Sequence, residues 1–112
     1  MITLPVAAIE LDLYDMVQDA NSGKKAITIR AGHRAYIAGE PVLLCSPRLN
    51  WCRRALITSV RHCTLGDVSP QEMLDDGFEN YQEMFNGLKK FYSTIAWNSP
   101  VTVVRWEIEK YD

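Results

Sequence analysis

The feature that most constrains the fold is a long run in the middle of the chain, CRRALITSVRHCTL, from Cys52 to Leu65. β-Branched and aliphatic residues recur along this run, and arginines are interspersed among them. Such a composition is typical of an extended strand, and its length favours a strand that bends or carries a bulge. Since a strand needs hydrogen-bonding neighbours, the middle of the chain is expected to form a sheet.

Three shorter segments supply the other expected strands. AITIR (26–30) and PVLLC (41–45) are short apolar runs, and the turn AGE precedes the second of them. Near the end of the chain, SPVTVVRWEIE (99–109) alternates along its length as a strand does. The last segment is therefore predicted to complete the sheet.

Helical patterns flank these strands. Residues 8–21 place apolar side chains at helical spacing between acidic ones, and the residues NSG end that pattern. The residues SPQE contain an N-cap serine, Ser69, and a glutamate, Glu72, at the position of a capping box, so a short helix is predicted to run to Gly77. A second helix carries an apolar stripe, which consists of Tyr81, Met84, Phe85, Leu88, Phe91 and Tyr92.

This order of elements predicts one α+β domain over residues 1–112, with a strongly curved mixed sheet or small β-barrel flanked by helices. The 112 residues are 47% hydrophobic, which suits one modest core. No apolar run approaches the roughly 20 residues that cross a bilayer, and the first residues lack the pattern of a signal peptide. A soluble cytoplasmic protein without membrane contact is expected.

Three cysteines and two histidines do not suggest a metal or a cofactor. Cys45, Cys52 and Cys63 are odd in number and have no C-x-x-C spacing, so reduced and mostly buried thiols are expected. His62 is the neighbour of Cys63, and neighbours on a strand point to opposite faces. We therefore expect neither a metal site nor a bound cofactor.

Charge is strongly segregated along a chain whose formal net charge is −2. Residues 1–21 carry −4, residues 22–66 carry +7 and residues 67–112 carry −5. A basic central block attracts phosphates even in an acidic protein. Lys and Arg also protect sheet edges from aggregation, and charge alone does not separate these two explanations.

The basic block begins with SGKKAITIR (22–30), in which Gly23, Lys25, Thr28 and Arg30 spell G-x-K-x-x-T-x-R. With AGEPVLL after it, LDDGFENYQEMFNGLKKFY further on and the closing VTVVRWEI, the chain resembles the ASCH domain family, the activating signal cointegrator homology domains. The resemblance covers roughly residues 9–109. It implies a PUA-like fold, with a cleft lined by the motif segment, and a function in binding RNA or a nucleotide, accompanied in some members by RNA cleavage.

A bacterial branch of that family hydrolyses the acyl amide of N4-acetylcytidine. By motif position, the resemblance makes Lys25 the general base and Thr28 the nucleophile, and Arg30 matches the arginine of the family cleft. The family's glutamate proton donor lies before a Gly-Phe turn, which here is DDGF. Asp76 takes that position, and Glu79 is the nearest glutamate. Aspartate is one methylene shorter, and general acid catalysis requires an approach near 3 Å.

Elementary chemistry sets two conditions on this motif. A threonine hydroxyl needs a neighbouring base, and a lysine serves only if burial or a nearby cation lowers its pKa from about 10.4 toward about 7–8. On a regular strand Thr28 and Arg30 share one face, whereas Lys25 would point to the other. Lys25 is therefore expected in the turn that Gly23 permits, before the strand, with Lys24 as a solvated neighbour.

Three further residues are predicted to contact a ligand. Arg53 and Arg54 follow Trp51, and a pair of cations beside an aromatic ring suits stacking on a base with phosphate contact. The alternative is an ordinary loop with a packing tryptophan. Tyr36 follows GHRA after the motif strand, where cleft residues of the resembled family often lie.

Three functions remain open from the sequence. The first is a module that binds RNA or a nucleotide in a basic cleft, with ribonuclease activity as an extension. The second is an amidohydrolase acting on N4-acetylcytidine. The third is a protein-interaction module without chemistry, which would tolerate alanine at Lys25, Thr28 and Arg30. The oligomeric state is not predicted.

Overall fold

Five strands form one mixed sheet in the computed structural model, which describes residues 2–5, 27–46 and 51–108, with the backbone alone for 2–5, 46, 51–53 and 108. The strands are β1 (Ile2–Pro5), β2 (Ile27–Ala31), β3 (Pro41–Ser46), β4 (Trp51–Thr64) and β5 (Pro100–Ile108). They lie in the order β1-β3-β4-β5-β2. The β1–β3 pair is parallel, and the other three pairs are antiparallel.

Three helical segments lie between β4 and β5. They are a 3₁₀ helix (Leu65–Asp67), α1 (Pro70–Asp75) and α2 (Tyr81–Lys89). The predicted α+β class and mixed sheet are therefore confirmed. Closure into a barrel is not found among the described residues, where β1 and β2 are the edges of an open sheet. The predicted helix over residues 8–21 lies outside the described residues.

The predicted irregularity of the long strand is confirmed. The register of β4 against β5 shifts between Ile57, which faces Trp106, and Ser59, which faces Arg105. One residue of β4 is thus left without a partner, as in a β-bulge, and a bulge bends and twists its strand. β4 can therefore pair with β3 at its beginning and with β5 along most of its length.

Apolar side chains pack on both faces of the sheet. The helix-side face carries one buried cluster, which consists of Ile27, Ile29, Leu65, Val68, Met73, Met84, Leu88, Ile95, Val101 and Val103. The opposite face, called here the far face, carries Val42, Leu44, Ala55, Ile57, Val104 and Trp106. Both faces of β5 are thus covered, in keeping with its buried run from Val101 to Val104.

The start of α1 has the geometry that its sequence predicts. The Glu72 backbone N–H donates to Ser69 Oγ at 3.1 Å, and the Ser69 backbone N–H donates to Glu72 Oε1 at 2.8 Å. These two bonds form a capping box, with Pro70 at the first helical position. After α1, Gly77 adopts a φ of 98°, which glycine reaches without a Cβ clash.

The apolar stripe of α2 is confirmed except at its end. Met84 and Leu88 are buried in the helix-side cluster, and Tyr81, Phe85 and Tyr92 pack against it. The prediction for Phe91 was wrong, because this side chain is 60% exposed. The helix ends at Lys89, so helical spacing no longer sets the direction of the next side chains.

The cysteines differ in state. Cys45 is disulfide-bonded, and its partner in the β3–β4 register is Cys52. The expectation of reduced thiols was therefore wrong for Cys45, because the hairpin places two cysteines opposite one another. Cys63 is a free thiol, half-buried against the helix-side cluster, and burial raises its pKa.

Candidate functional site

The described part of the motif lies on the edge strand β2, where polar and apolar side chains alternate. Ile27 and Ile29 are buried in the helix-side cluster. Thr28 pairs with Val104 of the far-face cluster, and Arg30 pairs with Thr102 on the same face of β5. The predicted alternation is confirmed, with Thr28 and Arg30 on the far face. We call these two residues the motif strip.

The two side chains of the motif strip are joined by a hydrogen bond. Arg30 Nε donates to Thr28 Oγ1 at 3.0 Å, and Thr28 is 6% exposed. A hydroxyl has one hydrogen and two lone pairs, so Thr28 accepts this bond and keeps its own hydrogen as a donor. A charged donor at Oγ1 also stabilises negative charge on that oxygen. The geometry therefore suits recognition of a polar ligand and activation of the hydroxyl.

Thr102, which is fully buried, holds the segment that follows β2. Its hydroxyl donates to the Gly32 carbonyl at 2.7 Å and accepts from the Arg34 backbone N–H at 2.8 Å. A single side chain thus fixes the backbone on both sides of residue 33. The sequence argument missed Thr102 because nothing in a strand pattern distinguishes it from an ordinary β-branched residue.

Two exposed histidines lie beside this anchor. The rings of His33 and His62 stack with centroids 5.0 Å apart. His62 Nε2 donates to the Arg34 carbonyl at 2.7 Å, and His33 Nε2 donates to the Cys63 carbonyl at 3.2 Å. The segment after β2 is thereby fastened to β4, and the Arg34 guanidinium donates from Nε to the Ala31 carbonyl at 3.0 Å at the end of β2. Sequence reasoning considered these histidines only as metal ligands and missed their pairing.

Tyr36 lies in the segment between β2 and β3, which has no helix or strand over residues 33–37. It is half-buried and packs against the far-face cluster. That cluster contains Val104, the register partner of Thr28, so Tyr36 lies on the same face as the motif strip. The predicted proximity of Tyr36 to the motif is compatible with this arrangement.

The acidic candidates lie at the end of α1 and after it. Asp76 is 5% exposed, whereas Glu79 is exposed and its backbone N–H donates to Glu83 Oε2 at 3.2 Å. Arg105 Nη1 contacts Asp75 Oδ2 at 2.9 Å, and Arg105 is the register partner of Ile27. The end of α1 therefore lies beside the start of β2, on the helix-side face, and Thr28 faces the other side.

The structure describes the side-chain direction of one member of the predicted basic pair, Arg54. Ala55 is buried in the far-face cluster, so the preceding Arg54, which is exposed, points to the other face of β4. For Arg53 the structure describes the backbone alone. Gly23, Lys24 and Lys25 lie outside the described residues. The contacts predicted for all these residues stay predictions.

Arg61 is engaged elsewhere, on the helix-side face. It donates from Nε to Glu72 Oε2 at 2.9 Å and from Nη2 to the Asp67 carbonyl at 3.0 Å. The Arg61 hydrogen bond holds the pKa of Glu72 below its ordinary value. This arginine therefore fastens α1 to β4.

A depression of about 540 Å³ opens on the outer side of α2. Its walls are Phe78, Asn80, Gln82, Glu83, Asn86, Gly87 and Lys90. No residue of the motif strip lines this depression, so we place the candidate site at β2, where Thr28 and Arg30 lie. Among residues 27–46 and 51–108, no group of three or more His, Cys, Asp or Glu side chains could hold a metal ion. No helix in the described ranges is long and apolar enough to cross a membrane.

Solved structures with the same fold include two bacterial proteins. One is an ASCH domain from Lactobacillus crispatus JV V101, with a TM-score of 0.70 and 13% identity over 95% of this chain and 77% of that one. Another is protein EF3133 from Enterococcus faecalis V583, with a TM-score of 0.65 and 13% identity over 88% of this chain and 75% of that one. No family model and no curated protein matches the chain.

The chain thus has the fold of an ASCH domain, and the resemblance found in the sequence is confirmed at the level of the fold. The PUA-like α+β architecture that the resemblance implies is supported by the same neighbour. At 13% identity the likeness defines the fold alone, and function has to be argued from the site.

Proposed function

We propose that this chain binds an unpaired base, in a nucleotide or in single-stranded RNA, at the motif strip on β2. The observation that carries the proposal is the buried Thr28 hydroxyl, which accepts a hydrogen bond from Arg30 Nε at 3.0 Å. Because Oγ1 accepts this bond, the hydroxyl hydrogen can be donated to an acceptor on a ligand. A base offers ring nitrogens and carbonyl oxygens as such acceptors, and cytosine offers both.

The surroundings suit the phosphate of such a ligand. The Arg34 guanidinium lies at the end of β2, where its Nε donates to the Ala31 carbonyl at 3.0 Å, within the segment of the chain that carries a net +7. Cations that approach a nucleic acid backbone release condensed counterions, so they contribute affinity that does not depend on sequence. Base recognition at Thr28 and phosphate attraction at the basic end would then act together.

Residues named from the motif complete the proposal. Gly23, Lys24 and Lys25 precede β2 in the chain, and we propose that they contact the ligand, as the motif predicts. Tyr36, on the same face, is proposed as an aromatic contact for the base. Arg54 faces the other side of the sheet, and we therefore place it outside the base site.

A binding experiment tests this function. Fluorescence anisotropy with a labelled cytidine hexaribonucleotide should show affinity that falls as salt rises from about 50 to about 200 mM. Thr28→Ala should weaken binding about tenfold through loss of the hydroxyl, and Lys90→Ala, at the residue that follows α2, is the control. Affinity that ignores salt, or that is unchanged in Thr28→Ala, would refute the proposal. The same RNA, analysed for fragments after incubation, tests cleavage.

A second candidate function is hydrolysis of N4-acetylcytidine. The charged donor at Thr28 Oγ1 favours it, because that donor stabilises an alkoxide. Thr28 Oγ would attack the acyl carbon after losing its proton to Lys25, and the C–N bond would break as the cytidine amine takes a proton from Asp76 or Glu79. Water would then cleave the acetyl ester and release acetate. Asp76 would have to act around the edge of β2, which is why binding is placed first.

Acetate release from N4-acetylcytidine by the purified chain tests this candidate. Turnover should disappear in Thr28→Ala and Lys25→Ala. Asp76→Asn should abolish it if Asp76 is the acid, and Glu79→Gln if Glu79 is. Absence of turnover at high protein concentration, together with intact RNA binding, would leave the binding function alone.

A further inference from the structure

The far-face cluster contains a buried polar group, the indole nitrogen of Trp106. Trp106 is 2% exposed, and its indole Nε1 has no hydrogen-bond partner among the residues the structure describes. An indole N–H is a donor only, so it cannot be satisfied by a neighbouring donor. Buried donors without an acceptor are rare in proteins, because removal from water costs free energy that nothing repays.

The position of Trp106 relates this donor to the motif strip. Trp106 is two residues from Val104, the register partner of Thr28, and it lies on the same face of β5. Residues on adjacent antiparallel strands in this diagonal relation have Cα atoms about 7–8 Å apart, which a base can span. The last register pair of β2 and β5 is Ile27 with Arg105, so Trp106 lies toward the N-terminal end of β2.

The segment that carries Tyr36 borders the far-face cluster. Tyr36 packs on the cluster to which Trp106 belongs. The segment is anchored on one side by Thr102 and on the other by Gly39 and Glu40, whose backbones bond to Ile57. Between these anchors, Tyr36 and the 58% exposed Ile37 have neither helix nor strand. Tyr36 therefore packs on the far-face cluster from a segment without regular secondary structure.

We infer that Trp106 is a further recognition residue, whose Nε1–H donates a hydrogen bond to a carbonyl oxygen of the bound base. The inference rests on the proposed function, because it places the ligand on the motif strip. Thr28 and Trp106 then give two donors spaced across one base, and cytosine supplies a ring nitrogen and an adjacent carbonyl oxygen as acceptors. Bases that carry a ring carbonyl are favoured over adenine.

The test is a titration of the ¹⁵N-labelled full chain with cytidine 5′-monophosphate, with adenosine 5′-monophosphate as the comparison. The tryptophans at 51, 97 and 106 each give an indole cross-peak, which Trp→Phe variants assign. The Trp106 peak should shift on saturation with the cytidine nucleotide. Trp106→Phe should weaken its binding about tenfold, whereas Trp97→Phe, which alters a 42% exposed side chain, should not.

The outcomes separate this inference from the proposed function. If the wild-type chain binds the nucleotide but the Trp106 peak stays in place, or if Trp106→Phe binds within twofold of wild type, the inference is wrong and the proposed function stands. If the wild-type chain binds neither nucleotide nor RNA, both are wrong. If Trp106→Phe does not fold, the wild-type cross-peak decides by itself. A shift with the adenosine nucleotide equal to that with the cytidine nucleotide would refute the carbonyl assignment.

Discussion

Arg61 of β4 and Glu72 of α1 form a two-point ion pair, with Arg61 Nε 2.9 Å from Glu72 Oε2 and Arg61 Nη2 bonded to Oε1. The same Oε1 accepts the Ser69 backbone N–H of the capping box. One buried carboxylate therefore starts the helix and holds it against the sheet. Since α1 ends beside the start of β2, this pair fixes the acidic segment that contains Asp76.

Substitution of Glu72 should reveal both roles. Glu72→Gln keeps an acceptor for the Ser69 N–H but loses the charge, and we expect a loss of about 1 kcal/mol in the free energy of unfolding. Glu72→Ala loses the cap as well and should cost about 2–3 kcal/mol. Urea denaturation measures both, with the exposed Glu107→Gln as control, expected within about 0.5 kcal/mol of wild type. Equal losses in the two Glu72 variants would contradict the dual role.

The ion pair also predicts how stability depends on pH. The Arg61 hydrogen bond lowers the pKa of Glu72 in the folded state. A lowered folded pKa means that the unfolded chain binds the proton first, so the stabilisation is complete above the ordinary glutamate value of about 4.3 and is lost as pH falls through the folded pKa. Thermal melting of wild type and Glu72→Gln should therefore converge as pH falls from 7 toward 3. A constant difference in Tm would show that the charge of Glu72 contributes nothing.

A further prediction concerns the packing of Gly87 in α2 against the Phe78 ring. A Cβ at this position would lie 2.8 Å from Phe78 Cε1, closer than packed carbons approach. Alanine would gain about 1 kcal/mol of helix propensity, but the ring has to move, and overpacking of this kind costs about 1–3 kcal/mol. We expect Gly87→Ala to be neutral to destabilising in wild type and stabilising in a Phe78→Ala background. Chemical denaturation of the four proteins of this double-mutant cycle measures the coupling, and additive effects would refute the contact.

The sequence predicted the structural features that depend on residues close together in the chain. The capping box at Ser69 and the two faces of β2 follow from spacing alone, and both are confirmed. The parallel pairing of Ile2–Pro5 with β3 was missed, because a four-residue strand has little periodicity and its partner is distant in sequence. Trp106 was seen only as one position of a strand, since the lack of an acceptor among the described residues depends on how the sheet packs.

The candidate site shows the same division between local and long-range information. The motif spacing placed Thr28 and Arg30 on one face, but it did not show that Thr102 and the paired histidines would hold the adjoining segment. These contacts join residues about 30 to 70 positions apart in the chain. Arg54 is the opposite case. Its position beside Arg53 and Trp51 in the sequence suggested a ligand contact, but the alternation of β4 turns its side chain to the other face of the sheet.

Arg30 offers a prediction that separates the charge of the motif strip from its geometry. Arg30→Lys keeps one positive charge but removes the Nε donor that holds Thr28 Oγ1 at 3.0 Å. Affinity for the cytidine hexaribonucleotide should fall about tenfold through loss of this positioning. The slope of affinity against salt should stay unchanged in Arg30→Lys, because the number of cations is the same, and should decrease by about one phosphate contact in Arg30→Gln.

Anisotropy titrations at several salt concentrations measure both quantities, with Lys90→Gln as the matched loss of charge away from β2. Wild-type affinity in Arg30→Lys would show that the hydrogen bond to Thr28 has no part in binding, and an unchanged slope in Arg30→Gln would show that Arg30 does not meet a phosphate.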